Sequence, residues 1–468
     1  MFLTPQVFPT ESTDILIKSE DEDEESIGAL VRDLLPTRPP QVGFAKQDPE
    51  FINPQLTYVN RNVAIPPTLQ PVFSPLLEKN PAFRHLYHHF INRTCHVLVP
   101  YDDQKNPFRT ILAQMALHPS AQHLLAALLA SSAAHRAGVK GETPPKYLIS
   151  NLLGTTLSGL RKALDNPTEA SQDTTLATAI ALSSYNIISS DVQHWRMHLD
   201  GAREIILHRR RTAPKPIHES SIRTFLFKWF AYLDVIAGAS GLTLKEHNYH
   251  TAVSLIEDVT DTNRTESLGL TRFDTFTGFT ARLLPLLLRI GKLADQKRMA
   301  SRMNIDLTSD PEFLANVTNL EYDLNTAELD TINFPQDIDS SLEQQLRACN
   351  EAFHAAARLH IERRLRGMTT AQVRETVEAV FTAIERVPVG SGPEISLLYP
   401  LFSAGVEAAP GHWREYAESR MTEMEKIGIG NVQRAKRVML ETWEQTQRNG
   451  SVQWEDVMEG MGWDLSLA

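Results

Sequence analysis

The sequence predicts an all-α fold, a large multi-helix orthogonal or superhelical bundle preceded by a disordered N-terminal segment. From about residue 76 onward, apolar residues recur every three or four positions, which is the spacing of one face of an α-helix. Groups of small residues lie within two of these faces and indicate close helix crossings. The first 75 residues, in contrast, hold 11 of the 27 prolines. We therefore expect a disordered, acidic tail over 1–74 and a helical domain over 75–468.

Acidic residues dominate the predicted tail. They outnumber basic residues by 11 to 5 over residues 1–70, which accounts for −6 of the net charge of −11. Such a segment buries too little apolar surface to offset the entropy lost on ordering. The acidic run 20–25 is flanked by aliphatic residues, a pattern typical of activation segments that a coactivator groove binds as a helix. A solvating tail without a partner is the alternative.

Lys18 lies immediately before the acidic run, in an aliphatic-Lys-any-Glu pattern. That pattern, in an extended segment with acids downstream, is typical of lysines to which SUMO is joined. Lys18 is therefore a candidate SUMO acceptor.

Composition excludes several classes of protein. A net charge of −11 argues against a nucleic-acid footprint over the whole surface. No apolar run approaches the roughly 20 residues that cross a bilayer, and the first thirty residues lack the apolar core of a secretion signal. The two cysteines, Cys95 and Cys349, supply neither a disulfide framework nor the six thiolates of a binuclear zinc cluster. We expect a nuclear or cytosolic protein without a membrane segment, whose own binding to DNA is doubtful.

The first helices follow from apolar spacing and from their start signals. A stripe over 83–98 predicts one helix, and His118-Pro119-Ser120 marks the start of an Ala- and Leu-rich helix ending near Arg136. A further helix over 147–164 follows, and its apolar residues are Tyr147, Leu148, Leu152, Leu153, Leu157, Leu160 and Leu164. Asp173 is placed to cap the next helix, which runs to about residue 187.

Three histidines on the first helix have a spacing that resembles a set of metal ligands. No Asp, Glu or Cys completes the set, so His85, His88 and His89 are expected to be solvated or hydrogen-bonded.

The helix over 195–210 has the most distinctive composition. Gly201 lies within its apolar face, where it costs about 1 kcal/mol relative to Ala unless close packing requires it. Gly201-Ala202 therefore predicts that another helix crosses closely here. The basic end Arg209-Arg210-Arg211, followed by Pro214-Lys215-Pro216, is a candidate nuclear import signal. A cationic helix end that favours the helix dipole and is terminated by proline is the alternative.

The second half of the chain alternates helices with irregular segments. Residues 219–237 predict a very apolar, central helix, and 244–272 a long surface loop. A helix over 273–293 follows, in which Pro285 either causes a kink or marks the true start. Residues 301–338 are expected to be loop-rich with short helices. The stripe over 342–366 predicts one long helix that packs internally rather than as a coiled coil.

Four features are predicted in the C-terminal part of the chain. An amphipathic helix is predicted over 370–387. Ser403-Ala404-Gly405 again allows close approach of helices, within the run 399–408. A helix over 431–443 and the tryptophans Trp454 and Trp463 follow.

Five separated segments, in order from about 80 to 463, resemble the fungal-specific transcription factor domain, the regulatory region usually found downstream of a six-cysteine zinc cluster. The helix over 195–210 resembles its "W..HL.GA..I...R" pattern. Residues 399–408 resemble "WPLFiAGcEA", with Tyr399 replacing the Trp and Val406 the Cys. Shorter matches are Asn106-Pro107-Phe108, Ala134-His135-Arg136 and the final tryptophans. The residues that carry the two main matches are Trp195, His198, Gly201, Ala202, Pro400, Leu401, Phe402, Ala404, Gly405 and Glu407.

This resemblance implies a nuclear, fungal transcriptional regulator, plausibly pathway-specific for metabolic or secondary-metabolite genes. Its helical faces would contact coactivators or the transcription machinery, as a homodimer or as a heterodimer with a zinc-cluster factor. The missing zinc cluster has two explanations: loss of an upstream exon, or a role as coregulator or dimerisation antagonist. A cytosolic helical scaffold is the alternative from another class.

No catalytic motif is present. The sequence contains no glycine-rich phosphate loop, G-x-S-x-G elbow or H-E-x-x-H pair. His194 and His198 lie near Asp191 and Asp200, but Asp200 points about 200° around the helix from His198, so a helix alone cannot gather them. We expect no enzyme activity, metal site or cofactor.

Overall fold

The computed structural model describes residues 74–212, 220–239 and 270–468, and these are predominantly α-helical, as predicted. Every described residue belongs to one unit, which comprises 48–468. The expectations for the tail 1–74 and for most of the loop 244–272 lie outside the described residues. The helices before the second gap are α1 Pro75–Lys79, α2 Pro81–Asn92, α3 Ala113–Ala116, α4 Gln122–Lys140, α5 Lys146–Asp165, α6 Pro167–Ala170, α7 Asp173–Ile188, α8 Trp195–Thr212 and α9 Ser221–Ala239.

After the second gap, helices again provide most of the structure. They are α10 Leu283–Arg302, α11 Pro311–Glu328, α12 Ser340–His360, α13 Arg374–Glu385, α14 Leu398–Glu407, α15 His412–Glu425, α16 Gly430–Asn449 and α17 Trp454–Met461. Shorter pieces are the 3₁₀ helices Thr94–Leu98 and Gly392–Leu397 and the π-helical turns Phe108–Leu112 and Ile361–Leu365.

A small sheet lies where a helix was expected. Strands β1 Leu270–Asp274, β2 Phe279–Thr280 and β3 Thr331–Asn333 are ordered β2-β1-β3, with β1 antiparallel to β2 and parallel to β3. Gly278 turns the hairpin at a φ of +86°, a conformation that glycine adopts without steric cost. The predicted helix over 273–293 is therefore wrong before Leu283, and Pro285 marks the helix start rather than a kink.

The apolar residues form two cores. The N-terminal core extends from Leu77 to Phe276 and surrounds α4 and α7, whose residues are buried on nearly every side. The C-terminal core extends from Ala231 to Leu467. Partly buried Tyr232, Ile429 and Ala468 pack against both cores, so the two meet along a shared boundary.

Helix α12 lies at the centre of the C-terminal core and packs against α13 and α14. The Asp339 carboxylate caps its first turn by accepting a hydrogen bond from the Leu342 N–H at 2.9 Å. The Phe353 ring packs 4.5 Å from the ring of Phe279 and 5.7 Å from that of Tyr399. The prediction of a long, internally packed helix is confirmed, although the backbone becomes a π-helical turn after His360.

Several predicted helix boundaries are wrong. The stripe over 83–98, predicted as one helix, is divided between α2, which ends at Asn92, and a 3₁₀ helix. Helix α4 begins at Gln122, preceded by Ala121, rather than at the predicted start around Ser120. Asp173 is already inside α7, and its carboxylate accepts a hydrogen bond from Arg209 instead of capping the helix.

Residues 301–338, predicted to be loop-rich with short helices, contain the 18-residue helix α11. Asp310 caps it through the Phe313 N–H at 2.7 Å, and Pro311 is its first residue. Both start signals are present in the sequence, but the many polar residues between the apolar positions obscured the period.

Helix α5 forms as predicted, and Leu152 and Leu160 of its predicted stripe are buried, but three other residues of that stripe are exposed. Tyr147, Leu157 and Leu164 are 62%, 48% and 46% exposed. The face that packs against α4 is made of Ile149, Leu152, Thr156, Leu160 and Ala163.

The two groups of small residues behave differently. Gly201 is exposed, and a Cβ there would meet no atom within 4 Å, so the predicted close crossing is wrong; Ala202, Leu199 and Ile206 form the buried face instead. Gly405, in contrast, is buried, and a Cβ there would lie 2.5 Å from the Met439 sulfur of α16. Small size is needed at Gly405 because α14 and α16 cross there.

Alanine substitution at two helical glycines tests this packing. At Gly138 of α4 a Cβ would lie 2.5 Å from the Gly428 carbonyl oxygen, a backbone atom that cannot move aside easily. We expect Gly138→Ala to lower the free energy of unfolding by about 1–3 kcal/mol. Gly201→Ala, on an open face, should raise it by about 0.5–1 kcal/mol through helix propensity. Urea unfolding followed by circular dichroism measures both free energies of unfolding. If the two substitutions changed this free energy equally, the close contact assigned to Gly138 and the open face assigned to Gly201 would be contradicted.

Candidate functional site

Trp195, at the start of α8, lies against the end of the chain, whereas the family-like residues of α14 lie within the C-terminal core. We call residues 462–468 the C-terminal segment. Its Leu465 and Leu467 are 1% and 2% exposed. The Asn431 side-chain amide donates to the carbonyl oxygens of Ser466 and Ala468 at 3.1 and 2.7 Å. The segment is thus fixed through its backbone as well as through its apolar side chains.

Trp195 connects α8 to this segment. Its ring is buried, and its Nε1 donates to the Asp464 carbonyl oxygen at 2.6 Å. The Arg196 guanidinium lies 4.6 Å from the Trp195 ring centre and donates to both Asp464 carboxylate oxygens at 2.5 and 2.8 Å. The paired geometry and the cation–π contact fix where α8 begins relative to the chain end.

Two turns later, α8 is connected to α9 by a buried ion pair. The Arg203 guanidinium donates to Asp234 of α9 and to Asp200 on its own helix. Arg203 is 3% and Asp234 0% exposed, and burial raises the pKa of Asp234 against the opposing effect of Arg203. Because a buried charge without a partner is costly, this pair fixes the register of the two helices.

Every residue of α14 is buried. Phe402 packs edge-to-face on Trp454, with ring centres 5.2 Å apart. The Gly405 carbonyl oxygen accepts a hydrogen bond from Trp443 Nε1 at 2.8 Å. Glu407, the last residue of α14, lies 2.7 Å from Arg363 Nε. The side chains of Glu407 and Arg363 are 10% and 8% exposed. Burial raises the pKa of Glu407, while Arg363 lowers it.

Helix α12 brings two buried histidines to this region. His360 Nε2 lies 2.9 Å from the Ser403 hydroxyl, and its ring stacks on Tyr399 at 5.4 Å. Burial holds the pKa of His360 well below its usual 6.5. His354 is 1% exposed, and burial, followed by repulsion from Arg358, lowers its pKa to about 4. Both histidines are therefore neutral at physiological pH and act as packed, polar core residues.

A cavity of about 90 Å³ remains between the two cores. Phe108, Trp229 and Phe276 line it from the N-terminal side, and Leu398 and Val432 from the C-terminal side. This lining is suited to a small apolar group rather than to a charged one.

The other predicted site residues lie in different places. His198 is half-buried on α8, and burial lowers its pKa. His194 Nδ1 is 2.8 Å from Asp191, as expected for an isolated pair. At the basic helix end Arg209 pairs with Asp173, while Arg211 is exposed. Lys18 and Pro214-Lys215-Pro216 lie outside the described residues.

The histidines of α2 are not arranged as metal ligands. His85 and His88 are exposed, whereas His89 Nε2 lies 3.1 Å from His135 Nδ1. Across 74–212, 220–239 and 270–468, no group of three or more His, Cys, Asp or Glu is placed to hold a metal ion. Within the same ranges no helix is both long and apolar enough to cross a membrane.

Both cysteines are buried and unpaired. Burial raises the pKa of both thiols, that of Cys349 to about 12. Because the thiolate is the nucleophile and the metal ligand, neither residue is prepared for that chemistry.

Sequence reasoning missed Asp464, Arg363, Arg364 and Glu455, which form the charged contacts of the region. Arg364 lies 2.9 Å from Glu455, with both side chains below 10% exposed. Nothing in local sequence distinguishes these four residues from the rest of the 57 acidic and 46 basic residues in the chain. The nearby tryptophans, buried Trp454 and partly buried Trp463, are the sequence signal that this part of the chain is packed.

Comparison with known proteins gives one match. A family model described as the fungal specific transcription factor domain matches residues 85–468. No curated protein and no solved structure matches the chain.

The buried pair at the end of α14 gives a stability prediction. Glu407→Gln should lower the free energy of unfolding by about 3 kcal/mol, because the Arg363 guanidinium then lies buried without a countercharge. The control is Glu378→Gln, whose partner Arg374 is 75% exposed; it should cost less than about 0.5 kcal/mol. Arg363→Met combined with Glu407→Met should recover most of the loss. Urea unfolding measures these free energies. If Glu407→Gln lowered the free energy of unfolding no more than Glu378→Gln does, the prediction would be refuted.

The buried histidines predict a pH dependence. The folded pKa of His354 is about 4 against an ordinary 6.5, so below pH 6.5 the unfolded chain binds the proton first. Stability is therefore complete above pH 6.5 and declines toward pH 4, by up to about 1.4 kcal/mol per pH unit for this residue. Between pH 6 and 5, His354→Leu should reduce the slope of unfolding free energy against pH. Replacing the exposed His85 with Gln is the control, and an unchanged slope in His354→Leu would argue against the burial effect.

Proposed function

The chain belongs to the fungal specific transcription factor domain family, and we propose that it is a pathway-specific regulator of metabolic or secondary-metabolite genes. Membership of the family makes it a fungal transcriptional regulator. The observation that carries the proposal is the extent of the match, which takes in residues 85–468 and therefore nearly all of the described helical domain. The action we propose is regulation through protein contacts, without bond chemistry.

The distribution of the family-like residues supports action by contact. Trp195, Phe402 and Glu407 are buried and hold the helices together. The surfaces left for partners are outer helix faces, such as the side of α5 that exposes Tyr147, Leu157 and Leu164. Exposed apolar groups on one helix face favour binding to another protein. Coactivators or the transcription machinery are the partners we propose.

We propose that this chain acts at DNA through a partner protein that binds the DNA. Cys95 and Cys349 are buried in opposite cores, and the residues of this chain cannot supply the six thiolates of a zinc cluster. The net charge of −11 also disfavours direct binding to the phosphate backbone. We propose association with a DNA-bound zinc-cluster factor, as coregulator or dimerisation antagonist, in the nucleus.

A tethering experiment tests this role. Residues 1–468 fused to a heterologous DNA-binding domain should change reporter transcription in fungal cells, and the tagged protein should be nuclear and associated with chromatin. Replacing the acids of 20–25 with Asn and Gln removes the charge that keeps the flanking aliphatic residues solvated, and should abolish activation. The matched control replaces the same number of exposed acids on the helical domain.

A protein confined to the cytosol, without an effect on the reporter, would support the scaffold alternative instead. Sequence-specific binding of purified 1–468 to a promoter duplex would defeat the coregulator proposal.

A further inference from the structure

An open cleft lies on the C-terminal half, next to the buried ion pairs of Arg363 and Arg364. Its volume is about 460 Å³, within the range of about 300–1,000 Å³ typical of ligand pockets. One wall is α10, the second is the π-helical turn after α12 together with Gly367, and the third is the start of α17. Five cationic side chains and two acidic ones line it: Lys297, Arg298, Arg302, Arg363, Arg364, Glu455 and Asp456.

Two of the cations form a fixed floor. Arg364 pairs with Glu455 at 2.9 Å, and Arg363 with Glu407 at 2.7 Å, all four side chains being at most 10% exposed. Buried pairs of this kind do not separate without a large cost. They hold the cleft open and connect it to α14 and α17.

The other three cations are placed to bind a ligand. Arg298 and Arg302 both contact Glu459, at 2.7 and 2.5 Å, and Arg298 also lies 3.3 Å from Asp456; the two acidic side chains are 54% and 65% exposed. Such exposed ion pairs contribute little, so an incoming anion can replace the carboxylate at small cost. Within the described residues, Lys297 Nζ donates to the Leu365 carbonyl oxygen at 2.7 Å and hydrogen-bonds no carboxylate. Burial lowers the pKa of Lys297, while the negative charge of Asp306 opposes that shift.

We infer that this cleft binds a small organic polyanion, a phosphorylated or polycarboxylic metabolite, between Lys297, Arg298 and Arg302. Arginine forks match the oxygens of phosphate and carboxylate groups, and the lysine adds a point charge. This inference stands apart from the proposed regulatory role, since binding depends only on the cleft.

Isothermal titration of purified 1–468 with inorganic pyrophosphate and, separately, with citrate tests the site, with KCl at equal ionic strength as the reference. We expect saturable binding of at least one probe, a raised midpoint of thermal unfolding, and affinity that falls with salt. Lys297→Met should weaken binding roughly tenfold or more, because a charge-assisted hydrogen bond is lost. Lys297→Arg should retain most of the affinity.

Two further variants separate binding from folding. Arg302→Gln changes a side chain that is 55% exposed, so it should weaken binding without loss of helicity. Arg161→Gln, which removes an exposed charge from α5, is the control and should leave affinity unchanged. Preference for pyrophosphate or for citrate identifies the ligand class. The inference is overturned if neither probe binds. It is also overturned if Lys297→Met and Arg302→Gln both bind the probes as tightly as the unmodified protein does.

Discussion

The C-terminal segment is the contact on which the arrangement of the two cores depends. Its backbone is bonded at several points: Asp464 N–H donates to the Val192 carbonyl oxygen, Trp195 donates to the Asp464 carbonyl, and Asn431 donates to two carbonyls beyond it. Leu465 and Leu467 bury their side chains at the same place. Without this segment, the start of α8 would lose its polar partners and the boundary would expose apolar surface.

Most of the family-like residues therefore pack in the interior of the domain rather than on a binding surface. Gly405 permits α14 to approach α16, Trp443 satisfies the Gly405 carbonyl oxygen, and Glu407 neutralises Arg363. Each of these contacts joins segments far apart in sequence. A pattern that preserves them preserves the shape of the domain, whereas the exposed faces remain free to differ in what they bind.

The predictable part of the structure was the part set by local spacing. Helices α8, α9 and α12 follow from apolar periods, and the fold class follows from the number of such helices along the chain. The error at α5 has a physical cause: its apolar residues extend around more of the helix than one face, and only contact with α4 decides that Leu152 and Leu160 are buried while Leu157 is exposed. Gly201 and Gly405 are equivalent by local sequence, and they differ because a second helix crosses one and not the other. Ion pairs such as Arg363–Glu407 depend on the same long-range geometry and carry no local signal.

The distance along the chain between Trp195 and Asp464 has a consequence for biosynthesis. The two partners are 269 residues apart, and at roughly 5–20 residues per second the ribosome needs on the order of tens of seconds to make the intervening chain. During that interval α8 has emerged without its final partner, and the apolar boundary is open to solvent. The N-terminal core is therefore synthesised before the residues that cover its boundary with the C-terminal core.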